Sequence, residues 1–382
     1  MPPLLLRRAR PIGFAGIAQS ETEILVSADG KIAGVGPSLA VPNDAEILDL
    51  QGLWLSPGWV DLHTHIYWGG TDISVRPRDV GAAAGVATLV DAGSAGEANF
   101  HGFREYVATP AQERIVAFLN MGSIGLVAGN RVSELIDTRS IDIGRTLACI
   151  EANKDIIKGV KIRATGTILG SWGIAPVKIA KKVAKLAGLP IMVHVGEPPP
   201  LTEEVFELLG PGDIITHCFH GKPGGNVLED QDLADWAQRL SDEGVVLDIG
   251  HGAASFSYGV GIASIKRGLM PHTISTDLHV RNIGGPVWEL SLVMSKMLAI
   301  GMTLEQVIGG VTTNALRAVA LPHENLLATG TEARFTAFEM ADTDLTLPDS
   351  MRQPLRLRQR FLPRHTVIGR DVIAAGTRYR DA

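Results

Sequence analysis

The chain has 382 residues, 45% of them apolar and 20% charged, which is enough to bury a large core and excludes a disordered or fibrous protein. A formal charge of −6, a pI near 6.0 and the lack of a dominating Lys/Arg run argue against nucleic acid or an anionic membrane as partner and leave a small molecule. Two cysteines, Cys149 and Cys218, are too few for a disulfide scaffold and fit a reducing cytoplasm.

At the N-terminus three leucines, Leu4 to Leu6, precede Arg7 and Arg8, too short an apolar run for a secretory leader or a bilayer span, so no targeting segment is expected. Between Ile12 and Leu55 come short β-like runs, with 23–26 and 31–35 joined across the turn residues Asp29 and Gly30. They predict the hairpins of a small all-β unit. Ser56-Pro57-Gly58 then interrupts the chain.

From Trp59 onward, apolar runs alternate with amphipathic helices, as in β/α units around a parallel sheet. Eight runs can be counted, at 59–66, 86–93, 114–122, 156–164, 189–196, 213–219, 245–250 and 272–278. Helices are expected between them, for example 176–187 and 228–242. The first carries Lys178, Lys181, Lys182 and Lys185 on a solvated face; the second has Leu233, Trp236, Ala237 and Leu240 on an apolar stripe. This order predicts a (β/α)8 TIM-type barrel, with its active site at the C-terminal ends of the strands.

Beyond Leu321 strand-like fragments return at 334–338, 345–347, 355–357 and 365–368, and Arg352, Arg356, Arg358, Arg360 and Arg364 are expected on an exposed strand face. The expected domains are 1–56 and 324–382, forming one small β-sandwich from both chain ends, with the barrel at 57–323 inserted between them.

Residues two apart in a strand share a face, so His63 and His65 point the same way and could close on one cation. A lone His-x-His is as consistent with two structural histidines. Four further chemistry-bearing residues, Lys161, His194, His217 and Asp277, fall at or near the ends of later apolar runs. Lys158 competes with Lys161, but the spacing places it on the opposite strand face.

These residues, in this order and spacing, resemble the amidohydrolase superfamily of metal-dependent hydrolases over essentially the whole chain. The stretches around Lys161, around His217 (Gly212-Asp213-Ile214-Ile215-Thr216-His217-Cys218) and around Asp277 (Ser275-Thr276-Asp277-Leu278-His279) are most similar to its deacetylase-type, dihydroorotase-like branch. Thr313-Asn314-Ala315 and Glu332-Ala333-Arg334-Phe335 depart from the usual pattern outside the ligand set.

The resemblance implies two divalent ions, zinc by donor type. His63, His65 and Asp277 would hold one, His194 and His217 the other, and a carbamate made from CO2 on Lys161 would bridge them. A carbamate offers two oxygens, whereas an ammonium has no lone pair to give. A hydroxide bridging the ions would attack an amide or ester acyl bond, with Asp277 moving its proton. The implied substrates are N-acyl amino acids or O-acyl hydroxy acids, such as an O-acetyl hydroxy acid. Arg163 is a candidate carboxylate anchor, or else half of a structural ion pair. His220 and His279 are candidate substrate contacts; they and His251 fit equally as satisfied loop histidines.

Three other functions compete. One is cyclic-amide hydrolysis of the dihydroorotase or hydantoinase kind. Another is a one-zinc deaminase in which His194-Val195-Gly196-Glu197 supplies Glu197 as the acid and Lys161 is idle. The third, a non-catalytic scaffold, sits poorly with six ligands all present. A homo-oligomer is compatible with the sequence.

Overall fold

The computed structural model describes residues 1–135 and 137–379. Fifteen strands are resolved among them. β1 (Leu4–Pro11), β2 (Thr22–Val26), β3 (Ile32–Gly36), β4 (Glu46–Asp49) and β5 (Trp54–Pro57) come first. The barrel strands follow: β6 (Trp59–Thr64), β7 (Val86–Ala92), β8 (Arg114–Asn120), β9 (Ile157–Ala164), β10 (Ile191–Val195), β11 (Ile214–Thr216) and β12 (Val246–Asp248). The tail adds β13 (Arg334–Pro348), β14 (Pro354–Ile368) and β15 (Asp371–Ala374).

β6 to β12 pair in parallel and in sequence order. Every residue of β6 and β7 is buried, as expected where helices cover one face and the barrel interior the other. The run 272–278, expected as an eighth strand, is not a continuous one. It touches its neighbours through two single parallel bridges, Asp248 to Thr273 and Thr64 to Leu278, and these close the barrel. Asp61 and Asp248 take the hydroxyls of Thr276, Thr273 and Ser275, so side chains carry much of the contact that a ladder would make.

Both chain ends meet in one eight-stranded sheet of order β15-β14-β13-β5-β1-β2-β3, with β4 beside β1. Leu4, Leu6, Ile24, Val26, Leu55, Phe335 and Val367 pack into its own core. The four tail fragments are in fact two 15-residue strands, and register shifts at 337/338 and 342/345 bend the pair. That hairpin leaves the sheet and lies on the barrel helix Leu290–Ala299, where Leu292 meets Leu347 and Leu357. Trp59 fastens the two parts at the root of β6, packed among Phe338 and Phe361 with its backbone N–H on Thr336.

The helix Ala175–Ala187 has Pro176 in its first turn and ends on Gly188 in the left-handed region, burying Val177, Ala180, Val183 and Ala184. Lys178, Lys182 and Lys185 are exposed as expected, but Lys181 is half-buried and pairs with Asp213. The helix Gln231–Asp242 is capped by the Asp230 side chain and buries Leu233, Ala237 and Leu240, while Trp236 is partly buried. No helix among the described residues is long and apolar enough to cross a membrane.

Candidate metal centre

Each candidate ligand sits where its strand places it. His63 lies in β6 and His65 just beyond it. Lys161 is in β9, His194 in β10, His217 directly after β11, and Asp277 in the bridged run beside β6. They converge: Asp277 Oδ1 is 3.4 Å from His63 Nε2 and 3.1 Å from His65 Nε2, and Oδ2 is 4.0 Å from His217 Nε2. The His194 and His217 rings are 4.3 Å apart, and Lys161 Nζ is 3.2 Å from His63 Nε2. Lys161 passes Gly93 so closely that a Cβ there would fall 2.6 Å from Lys161 Cγ. His217 and Asp277 both have positive φ, 73° and 51°, a conformation uncommon outside glycine that concentrates at functional sites.

The hydrogen bonds fix the imidazole tautomers. Thr216 Oγ1 donates to Asp248 at 2.7 Å, so it accepts from His63 Nδ1 at 3.0 Å and leaves the Nε2 lone pair facing inward. Ser94 Oγ lies 2.9 Å from His65 Nδ1, and the Ser94 backbone N–H donates to Asp91 Oδ1 at 2.6 Å. His217 Nδ1 donates to Gly250 O at 2.6 Å, and its buried Nε2 has no hydrogen-bond partner. The His63 and His217 lone pairs and the Asp277 carboxylate thus face one space, and their donor atoms all lie within 4.8 Å of one another. This donor set fits a divalent cation of the zinc type.

The electrostatics agree. Burial lowers His63 and His194 well below the usual imidazole range and His217 to about 3, which keeps them neutral. Burial also lowers Lys161, to about 8, against Asp277 and Asp248, which favour its charged form. Asp277 is opposed by burial, yet His63, His65 and His279 hold it well below the carboxylate range.

Arg163 is engaged elsewhere. Its Nε donates to Glu134 Oε1 at 2.7 Å and its Nη2 to Oε2, the ion-pair alternative rather than a free anchor. His220 and His279 are buried and lowered to about 4, chiefly by burial; each accepts a backbone N–H on Nδ1, from Lys222 and Arg281 respectively. Nε2 of His220 has no partner, so that ring is not fully satisfied. His251 is buried against Lys296. Glu197 is opposed by burial but brought down to about 2 by Lys222, 2.8 Å away, with Thr165 adding a hydrogen bond.

Sequence reasoning missed Ser94, Thr216, Asp91, Asp248, Glu134 and Lys296. Only Asp91 and Asp248 carried a signal, as carboxylates inside apolar runs. A cavity of about 560 Å³ opens beside Trp68, Arg76 and Tyr106, but it holds none of the ligands; the donor set, not volume, locates the chemistry.

No family model matches the chain. It is 54% identical over 374 residues to a deacetylase of Agrobacterium fabrum, covering 98% of this chain and 92% of that one. It is 55% identical over 375 residues to a deacetylase of Brucella anthropi, covering 98% and 93%. A crystal structure described as a dihydroorotase superposes with a TM-score of 0.95 at 53% identity over the full length of both chains. One of an adenine deaminase gives 0.89 at 29% identity over 98% of this chain and 100% of that one. With its barrel, its inward-facing donors and these relatives, the chain belongs to the deacetylase-type, dihydroorotase-like branch of the amidohydrolase superfamily of metal-dependent hydrolases.

Proposed function

We propose that this protein cleaves the acyl bond of a small acylated acid, an N-acyl amino acid or an O-acetyl hydroxy acid. Two divalent ions, zinc by donor chemistry, would be held by His63, His65, His194, His217, Asp277 and a carbamate on Lys161. The observation that carries this is Lys161 itself. The side chain is buried, makes no ion pair among the described residues and stands 3.2 Å from His63 Nε2. An ammonium is badly placed there, because burial outweighs the Asp277 and Asp248 charges that favour it. A pKa near 8 leaves some neutral amine at neutral pH. That amine can add CO2, forming a C–N bond, releasing one proton and leaving an anion with two donor oxygens.

When bound, such ions polarise the acyl carbonyl and make water nucleophilic near neutral pH. The protein's own part is proton transfer and orientation. Asp277, ionised and within reach of the ligand cluster, takes the proton of the attacking water and returns it to the leaving nitrogen or oxygen. Thr216 holds His63 in the tautomer that faces the site, and Ser94 orients the His65 ring.

The dihydroorotase similarity supports a second reading, opening of a cyclic amide, which would use the same groups. Deamination through Glu197 is disfavoured, because a carboxyl held ionised by Lys222 is a poor proton donor. The test is a panel of N-acyl amino acids, O-acetyl hydroxy acids and cyclic amides on metal-replete protein, with metal counted per chain. Two metals and turnover of the acyl acids support the proposal; turnover of cyclic amides alone overturns it. Lys161→Ala should lose metal and nearly all activity, and added short carboxylic acids should restore part of both.

A further inference from the structure

A second cavity, about 350 Å³, opens beside the metal centre and is walled in part by the hairpin tip at 349–353. Its lining includes Arg281, Pro286, Trp288, Asp349, Ser350 and Arg352. Ala253, also in the lining, follows Gly252, whose Cβ position would lie 2.7 Å from Asp277 Oδ2. Arg281 comes four residues after Asp277, and its backbone N–H donates to His279 Nδ1 at 3.2 Å.

The charges around this cavity do not cancel. Among the described residues neither Arg281 nor Arg352 forms an ion pair, although both are cavity residues. The one carboxylate in the lining, Asp349, is engaged by the N–H groups of Tyr258, Met351 and Gln353 at 2.7 to 2.8 Å. Behind the wall Lys296 is fully buried, with Nζ at 2.6 Å from Pro286 O, 2.9 Å from Pro348 O and 3.0 Å from His251 Nε2. That amine draws the loop after Asp277, the hairpin tip and the segment after β12 to one point. Ser350 Oγ adds contacts of 2.9 Å to His251 O and 2.8 Å to Gly252 O. Trp288 and Arg352 have φ of 61° and 64°, two of the few non-glycine residues so placed. The tip turn therefore presents Arg352 to the cavity instead of leaving it on the strand face that alternation predicts.

We propose that this cavity receives the substrate's carboxylate, with Arg281 and Arg352 as its anchors and Lys296 as the residue that positions the wall. This rests on the reading above that the substrate is an acylated acid. Guanidinium suits the task because it meets a carboxylate with two parallel hydrogen bonds. A substrate anchored here has its acyl group directed past Gly252 toward Asp277.

The experiment compares wild type, Arg281→Gln, Arg352→Gln, the double variant and Arg352→Lys, each metal-replete and checked for an unchanged melting profile. Hydrolysis of N-acetylalanine is measured against its carboxamide, and binding of lactate against lactamide by calorimetry. The double variant should raise KM for N-acetylalanine and weaken lactate binding by about tenfold or more. The kcat and both neutral amides should change less than about threefold, and Arg352→Lys should recover part of the loss. Equal effects on acid and amide, no effect on either, or no lactate binding by wild type would overturn the proposal. If no acyl acid is hydrolysed but lactate binding still depends on the arginines, the substrate reading fails while the anion site stands.

Discussion

Thr216 Oγ1 donates to Asp248 Oδ2 at 2.7 Å, and this one bond decides which nitrogen of His63 faces Asp277. With the hydroxyl proton committed to Asp248, only a protonated His63 Nδ1 can complete the chain, so Nε2 keeps its lone pair for the site. Thr216→Val should leave the fold intact but weaken metal binding about 10- to 100-fold, the usual effect of losing a group that orients a ligand. Thr216→Ser, which keeps the hydroxyl, should stay near wild type. Metal retained per chain after dialysis against graded chelator measures both; equal retention in all three proteins would show that the hydroxyl orients nothing.

Asp277→Asn should keep the fold and most of the metal, because an amide oxygen still has lone pairs to donate. It cannot take a proton, so kcat should fall by about 10² to 10⁴. Single-turnover hydrolysis of the best substrate, at matched metal content, is the measurement. Near wild-type turnover would remove Asp277 from proton transfer.

Glu197 separates hydrolysis from deamination. Lys222 and Thr165 already hold it, so Glu197→Gln should change kcat of acyl hydrolysis by less than about threefold, far below the 10² or more expected of a general acid. A loss of two orders of magnitude would restore the one-metal deaminase account.

Arg163→Ala should act first on stability. It leaves the buried Glu134 carboxylate without its partner, at a cost of about 3 to 5 kcal/mol, seen as a lower urea midpoint. Burial pushes Glu134 up, but Arg163 outweighs it and holds the group below its usual 4.5. The pair's stabilisation is therefore fully present above that pH and is lost as pH falls through the depressed folded value. In the variant Glu134 prefers its proton, so the difference from wild type should shrink as the pH is lowered past 4.5. A variant that keeps its midpoint but loses KM only for acids would return Arg163 to substrate binding.

Local periodicity was enough to place the barrel strands and, through them, the candidate triad His63, His217 and Asp277. His63 and His65 share a face because strand side chains repeat every two residues, and Lys161, His194, His217 and Asp277 stood out as polar residues in or just after apolar runs. The Asp29-Gly30 turn and the buried stripe of the helix Gln231–Asp242 were legible for the same reason, since turn chemistry and helical spacing are local. What tertiary structure alone decided lies between residues far apart in the chain. Arg163 meets Glu134 29 positions away, Thr216 meets Asp248 after 32, and Ser350 reaches His251 across 99. The run 272–278 has a strand's pattern but only single-bridge contacts, because its register partners are side chains of Asp61 and Asp248 as much as backbone. The two long tail strands read as four fragments because bulges break the alternation, and it is their bend that carries Arg352 over to the barrel. Alternation along a chain reports which face is buried; it does not report what is packed against that face.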